Sequence, residues 1–98
     1  MFEVTCIDDT NKPNDIPSSQ WIIKGNKYFV IEVCRMNMQG GMLGYKLAEV
    51  NLDGCAPYQY YAASRFGITQ EQLEKMIAMK LIQVVEEKKE EVLEPELV

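Results

Sequence analysis

Apolar and polar residues alternate from the second position onward. Phe2, Val4 and Cys6 fall on one side of an extended chain and Glu3, Thr5 and Ile7 on the other, which predicts a strand with one more apolar face. Residues 8–19 are rich in Asp, Asn, Pro and Ser and break the alternation, so they read as a long loop. A short apolar run, Trp21, Ile22 and Ile23, ends at Gly25 and Asn26, a pair suited to a tight turn or bulge. Residues 27–35 carry the strongest strand pattern: Tyr28, Val30 and Glu32 face one way, Phe29, Ile31 and Val33 the other. Aromatic and β-branched residues on both faces predict a central strand buried on both sides. Gly40, Gly41 and Gly44 predict a hairpin connection into a return strand over residues 45–52. Asn51, Asp53 and Gly54 carry turn chemistry, and residues 58–66 form a fourth, more polar strand.

The period changes at Thr69. Thr69 and Gln72 have the spacing of a capping box at a helix start. Leu73, Met76, Ile77 and Leu81 then recur at spacings of three and four, a helical stripe. A helix is expected over about 70–80. Residues 81–87 fit either its continuation or a fifth strand, because Val84 and Val85 are β-branched. The expected organisation is a β domain over residues 1–67, a helical extension over 68–87, and a charged, disordered tail over 88–98.

Charge narrows the function classes. The chain of 98 residues carries 10 basic and 15 acidic side chains, net −5, and has no histidine. Residues 1–67 hold 6 basic and 7 acidic groups, and residues 68–98 hold 4 and 8, so the excess sits in the C-terminal third. Nucleic-acid binding is led by clustered Lys and Arg, and anionic membrane surfaces attract the same clusters; neither partner is expected. No apolar run approaches the ~20 residues of a membrane span, and the N-terminus lacks the layout of a secretory signal. Three widely spaced cysteines, Cys6, Cys34 and Cys55, imply no disulfide framework and fit reduced, buried thiols in a cytoplasmic protein.

Short strands, glycine turns and little helix before residue 68 predict a mostly β (α+β) fold built as a small twisted barrel of four to five strands with a C-terminal helix. The order Cys6-Ile7-Asp8-Asp9, Pro13, Gly25-x-x-Tyr28-x-Val30, Gly44-Tyr45-x-Leu47-x-Glu49 and Arg65-Phe66 resembles small bacterial and phage SH3-like barrel proteins. The resemblance covers about residues 3–67. It implies an SH3-like barrel and a bacterial or mobile-element origin, and it names no reaction.

The chemistry of bond-making is hard to assemble from these residues. A Cys nucleophile needs a base, most often histidine, and a zinc site needs closely spaced Cys or His; no catalytic residue, metal or cofactor is expected. Asp8 and Asp9, adjacent at a strand end, fit caps on backbone amides. The aromatic set is the strongest binding signal. Trp21, Tyr58, Tyr60 and Tyr61 with Arg65 as polar anchor are the expected contact residues, because SH3-like barrels take extended peptides on shallow aromatic grooves. Tyr60 and Tyr61 are strand neighbours and cannot both point inward, so at least one ring is expected to be exposed. The function expected is therefore a non-enzymatic module binding protein or peptide. The alternative is a structural protein forming homo-oligomers through Leu73, Met76, Ile77 and Leu81.

Overall fold

The computed structural model describes residues 2–36, 40–55, 58–86 and 96–98. The elements are β1 (Phe2–Thr5), β2 (Lys27–Met36), β3 (Met42–Leu47), β4 (Tyr58–Ala62), α1 (Gln70–Ala78), β5 (Val84–Glu86) and β6 (Glu96–Leu97). Short 3-10 turns precede Trp21 and follow β4. The strands form one mostly antiparallel sheet in the order β1-β2-β3-β4-β6, and β5 pairs with β2. The mostly β architecture with one short helix is as the sequence pattern predicts.

β2 is the hub because it is long enough to take three partners. Its first half pairs with β1, from Thr5↔Lys27 to Phe2↔Val30. Its second half pairs on the same edge with β5, in parallel, from Val33↔Val84 to Arg35↔Glu86. Its other edge carries β3 from Val30↔Leu47 to Met36↔Met42. The expected strict alternation fails at one point. A register shift between Val30 and Glu32 makes Ile31 a bulge, so Val33, not Glu32, follows Val30 into the core. Beyond the bulge the strand is buried on both faces, with Val33 inward and Cys34 and Met36 in a second cluster. Up to and including the bulge, Phe29 and Ile31 stay exposed, so only half of β2 is covered on both sides.

The expected barrel is incompletely closed. Beyond Thr5 the chain meets the segment after β4 through one isolated bridge, Cys6↔Phe66. Ile7 N–H donates to Arg65 O at 2.8 Å and Gly67 N–H to Thr5 O at 3.0 Å around it. The main core lies inside this curve. Phe2, Tyr45, Phe66 and Tyr28 run through it as a chain of ring contacts with centroids 5.4 to 6.3 Å apart.

Two C-terminal expectations are settled differently. α1 starts at the capping box, with Gln72 N–H donating to Thr69 Oγ1 at 3.1 Å and Thr69 N–H to Gln72 Oε1 at 3.0 Å, and it ends at Ala78. Residues 84–86 are then a strand: Val84 and Val85 are β-branched, and the three residues pair in parallel with the second half of β2. The expectation of a disordered tail fails at its last residues. Residues 88–95 lie outside the described residues, but Glu96 and Leu97 form β6 and Val98 is buried in the core. Leu97 and Val98 are aliphatic, and the edge of β4 is free to receive them.

Candidate binding site

The β3–β4 ladder is short. It pairs Gly44↔Ala62 and Tyr45↔Tyr61 and stops there. Lys46 and Leu47 on one strand and Tyr58 and Gln59 on the other then part around a cleft of about 460 Å³. Leu47, Leu52 and Tyr61, all buried, contribute its base; Ile31, Val50 and Tyr58 form apolar walls; Lys46, Asn51, Asp53 and Gln59 give a polar rim. The turn after β3 holds the cleft open. Asp53 N–H donates to Asn51 Oδ1 at 3.0 Å and Gly54 takes a positive φ of 77°, the turn legible in the sequence. Gln20 Nε2 reaches across to Asn51 O at 3.1 Å and Asp53 O at 2.9 Å, which fixes that turn to the 3-10 turn before Trp21. Tyr61 Oη donates to Gln20 O at 2.6 Å from below.

The predicted contact residues do not form one surface. Trp21, Tyr60 and Tyr61 are buried. Tyr58, half-buried, and Tyr61 meet at the cleft. The expectation that one neighbouring ring must be exposed fails because both sheet faces are covered. Tyr61 points into the main core, while Tyr60 lies with Cys34 and Met36 in the second cluster, against Leu97. Tyr60 Oη also donates to Glu32 Oε2 at 2.8 Å, and Lys46 Nζ sits 5.2 Å from its ring centroid. Burial, with the Glu32 hydrogen bond second, pushes the Tyr60 phenol above its ordinary value of 10; burial does the same for Tyr45 and Tyr61.

Arg65 is a structural tie. Its guanidinium donates to Val98 O at 3.0 Å and Thr10 O at 2.7 Å, lies 3.5 Å from Asp8 Oδ1, and stacks 5.0 Å from the Trp21 ring centroid. Trp21 Nε1 in turn donates to Asp9 O at 2.8 Å. The long loop is thus pinned to the end of β4. Asp8 and Asp9 cap separate backbone amides, of Thr10 at 2.9 Å and of Lys24 at 2.9 Å. Hydrogen bonds from the Thr10 side chain and N–H hold the Asp8 carboxyl below the usual range.

The helical stripe is largely spent on the chain's own core. Leu73 is fully buried, and Met76 and Ile77 pack against the same cluster, whereas Leu81 is exposed. A smaller hollow of about 240 Å³ lies between Phe2, Ile31, Leu81 and Ile82, where β1 starts and the chain enters β5 on the edge of β2. All three cysteines are buried, and burial pushes the Cys6 thiol up. Among the described residues, no three Cys, Asp or Glu side chains gather as a metal-binding group, and no helix is long and apolar enough to cross a membrane.

Sequence reasoning named Tyr58 and Tyr61 but missed Ile31, Val50 and Lys46. Ile31 carried no signal of this, because regular alternation gives it the same face as Phe29 and Val33. Comparison with known proteins finds no matching family model, no matching curated protein and no matching solved structure.

Proposed function

We propose that this protein is a small non-enzymatic binding module that takes an extended peptide into the cleft between β3 and β4. The observation that carries the reading is the parting of the two strands after Tyr45↔Tyr61 over an apolar base, with Ile31, Val50 and Tyr58 as walls and a polar rim. An extended peptide fits such a place because the parted strand edges offer backbone partners and the cleft takes one large apolar side chain. Lys46 and Asp53 give the rim both signs, so the apolar anchor rather than net charge selects the ligand.

The finer fold reading belongs with it. We take the sheet as an SH3-like barrel, with the Cys6↔Phe66 bridge as its closure and α1 as an added cover. The partner is protein rather than nucleic acid or membrane, since a chain of net −5 without a basic cluster cannot neutralise phosphates. Three buried cysteines with wide sequence spacing favour a reducing, cytoplasmic setting.

Peptides selected from a random display library against the full chain test the reading. Gln59→Trp, an exposed position at the rim, narrows the cleft without touching the core. At least a tenfold loss of affinity for the selected peptides is expected. Binders unaffected by Gln59→Trp and by Tyr58→Ala would overturn it.

A further inference from the structure

We propose that the edge of β4, with Arg65, is a strand-accepting site that is filled by the chain's own Glu96, Leu97 and Val98 and exchanges this segment with a second copy of the chain. The observations start with the backbone. β6 pairs with β4 in parallel, Tyr58↔Glu96 and Tyr60↔Leu97. Val98 N–H donates to Tyr60 O at 2.9 Å, Ala62 N–H to Val98 O at 2.9 Å, and Arg65 Nε to the same oxygen at 3.0 Å. All of these bonds end on β4 or on the turn that follows it.

The side chains enter two different places. Leu97 packs against the cluster of Cys34, Met36 and Tyr60, on one face of the sheet. Val98 is buried in the main core, on the other. The Leu97 seat depends on Gly44: a Cβ built there would overlap Leu97 Cδ2 and lie 2.8 Å from Tyr60 Cβ. The acceptor therefore asks for two consecutive aliphatic residues in extended form, with a carbonyl aimed at Arg65. The ligand whose chemistry meets that demand is this segment itself, and every copy of the chain carries both halves.

Withdrawing the segment leaves Tyr60 O, Ala62 N–H and Arg65 without these partners and uncovers Leu97's seat. A bare strand edge of this kind pairs with the next suitable strand it meets. A strand held by so few bonds sits at the low end of local opening free energies. Because donor and acceptor lie on one chain, reciprocal exchange closes as a two-fold dimer and does not propagate. Carried on one chain, the segment meets its own acceptor at an effective concentration on the order of millimolar. Exchange thus appears only as protein concentration approaches that value.

Light scattering on the full chain, refolded from urea at about 1 mM and at about 10 µM, reads the outcome. A dimer of twice 11.3 kDa is expected in the concentrated sample and a monomer in the dilute one. Leu97→Asp is expected to abolish the dimer while Leu97→Met keeps it. An acetylated peptide Glu-Pro-Glu-Leu-Val, added in excess, is expected to dissolve the wild-type dimer and to bind the folded Leu97→Asp chain saturably. A monomer at both concentrations, a dimer indifferent to Leu97→Asp, or a dimer that survives the peptide would each overturn the proposal. The peptide competition uses the unaltered chain, so the test stands even if Leu97→Asp fails to fold. Asp53→Trp, an exposed position on the cleft rim and off β4, is expected to leave the dimer intact, which separates this site from the β3–β4 cleft.

Discussion

Arg65 ties together several parts of the tertiary structure, because one planar fork serves the loop, the end of β4 and Val98 together. Only 14% of its side chain is exposed. Arg65→Met is expected to cost about 2–4 kcal/mol in urea unfolding, since it leaves carbonyls unpaired as well as removing the contacts. Arg65→Lys recovers part of that, because a point charge cannot reproduce the fork. Tyr45 is the opposite case. Its hydroxyl is buried and, among the described residues, accepts and donates no hydrogen bond. Tyr45→Phe is therefore expected to be neutral or to stabilise by up to about 1 kcal/mol, read by the same unfolding curves. The raised phenols of Tyr45, Tyr60 and Tyr61 fix the alkaline behaviour. In the unfolded chain they ionise near 10; in the folded chain they stay neutral. Their contribution is fully present below pH 10 and is lost above it, at up to about 1.4 kcal/mol per pH unit for each. Tyrosinate absorbance should show three of the five tyrosines titrating only as the chain unfolds. Alternation made Val4, Cys6, Tyr28 and Val30 legible as core. It could not place Tyr60, because the cover on that side, Leu97, comes 37 positions later in the chain and only the folded sheet brings it near.

At the scale of elements, the helix was the most legible piece because its signals are local. Thr69 and Gln72 cap it within four residues, and Leu73 opens its buried stripe. Thr69→Ala is expected to cost about 1 kcal/mol, and Leu73→Ala about 2–5 kcal/mol, the second by leaving a cavity. Thermal or urea unfolding that ranks them the other way would contradict the packing described. β5 was undecidable from sequence: three residues of Val and Glu make a strand only because the second half of β2 lacks a partner on that edge. The bulge at Ile31 was hidden for a similar reason. Periodicity assumes one register along a strand, whereas β2 changes register against β3 between Val30 and Glu32. That single inserted residue reverses the faces beyond it and places Ile31 on the wall of the cleft.

For the whole molecule, the sheet is curved but incompletely closed, and its two irregularities are where binding is proposed. One is the parting of β3 from β4; the other is the edge of β4, covered by the chain's own last described residues. Neither was readable from composition, since both arise from where pairing stops rather than from which residues are present. The exposed aromatic surface expected from Trp21, Tyr58, Tyr60 and Tyr61 is replaced by a cleft that keeps only Tyr58 and Tyr61 from that set. The central claim is that function resides in the β3–β4 cleft as a contact site. Amide chemical-shift mapping of the full chain with a display-selected peptide tests it most directly. The account predicts saturable shifts centred on Ile31, Lys46, Leu47, Val50 and Gln59. Shifts centred instead on the Phe2, Leu81 and Ile82 hollow, or spread without a centre, would contradict it.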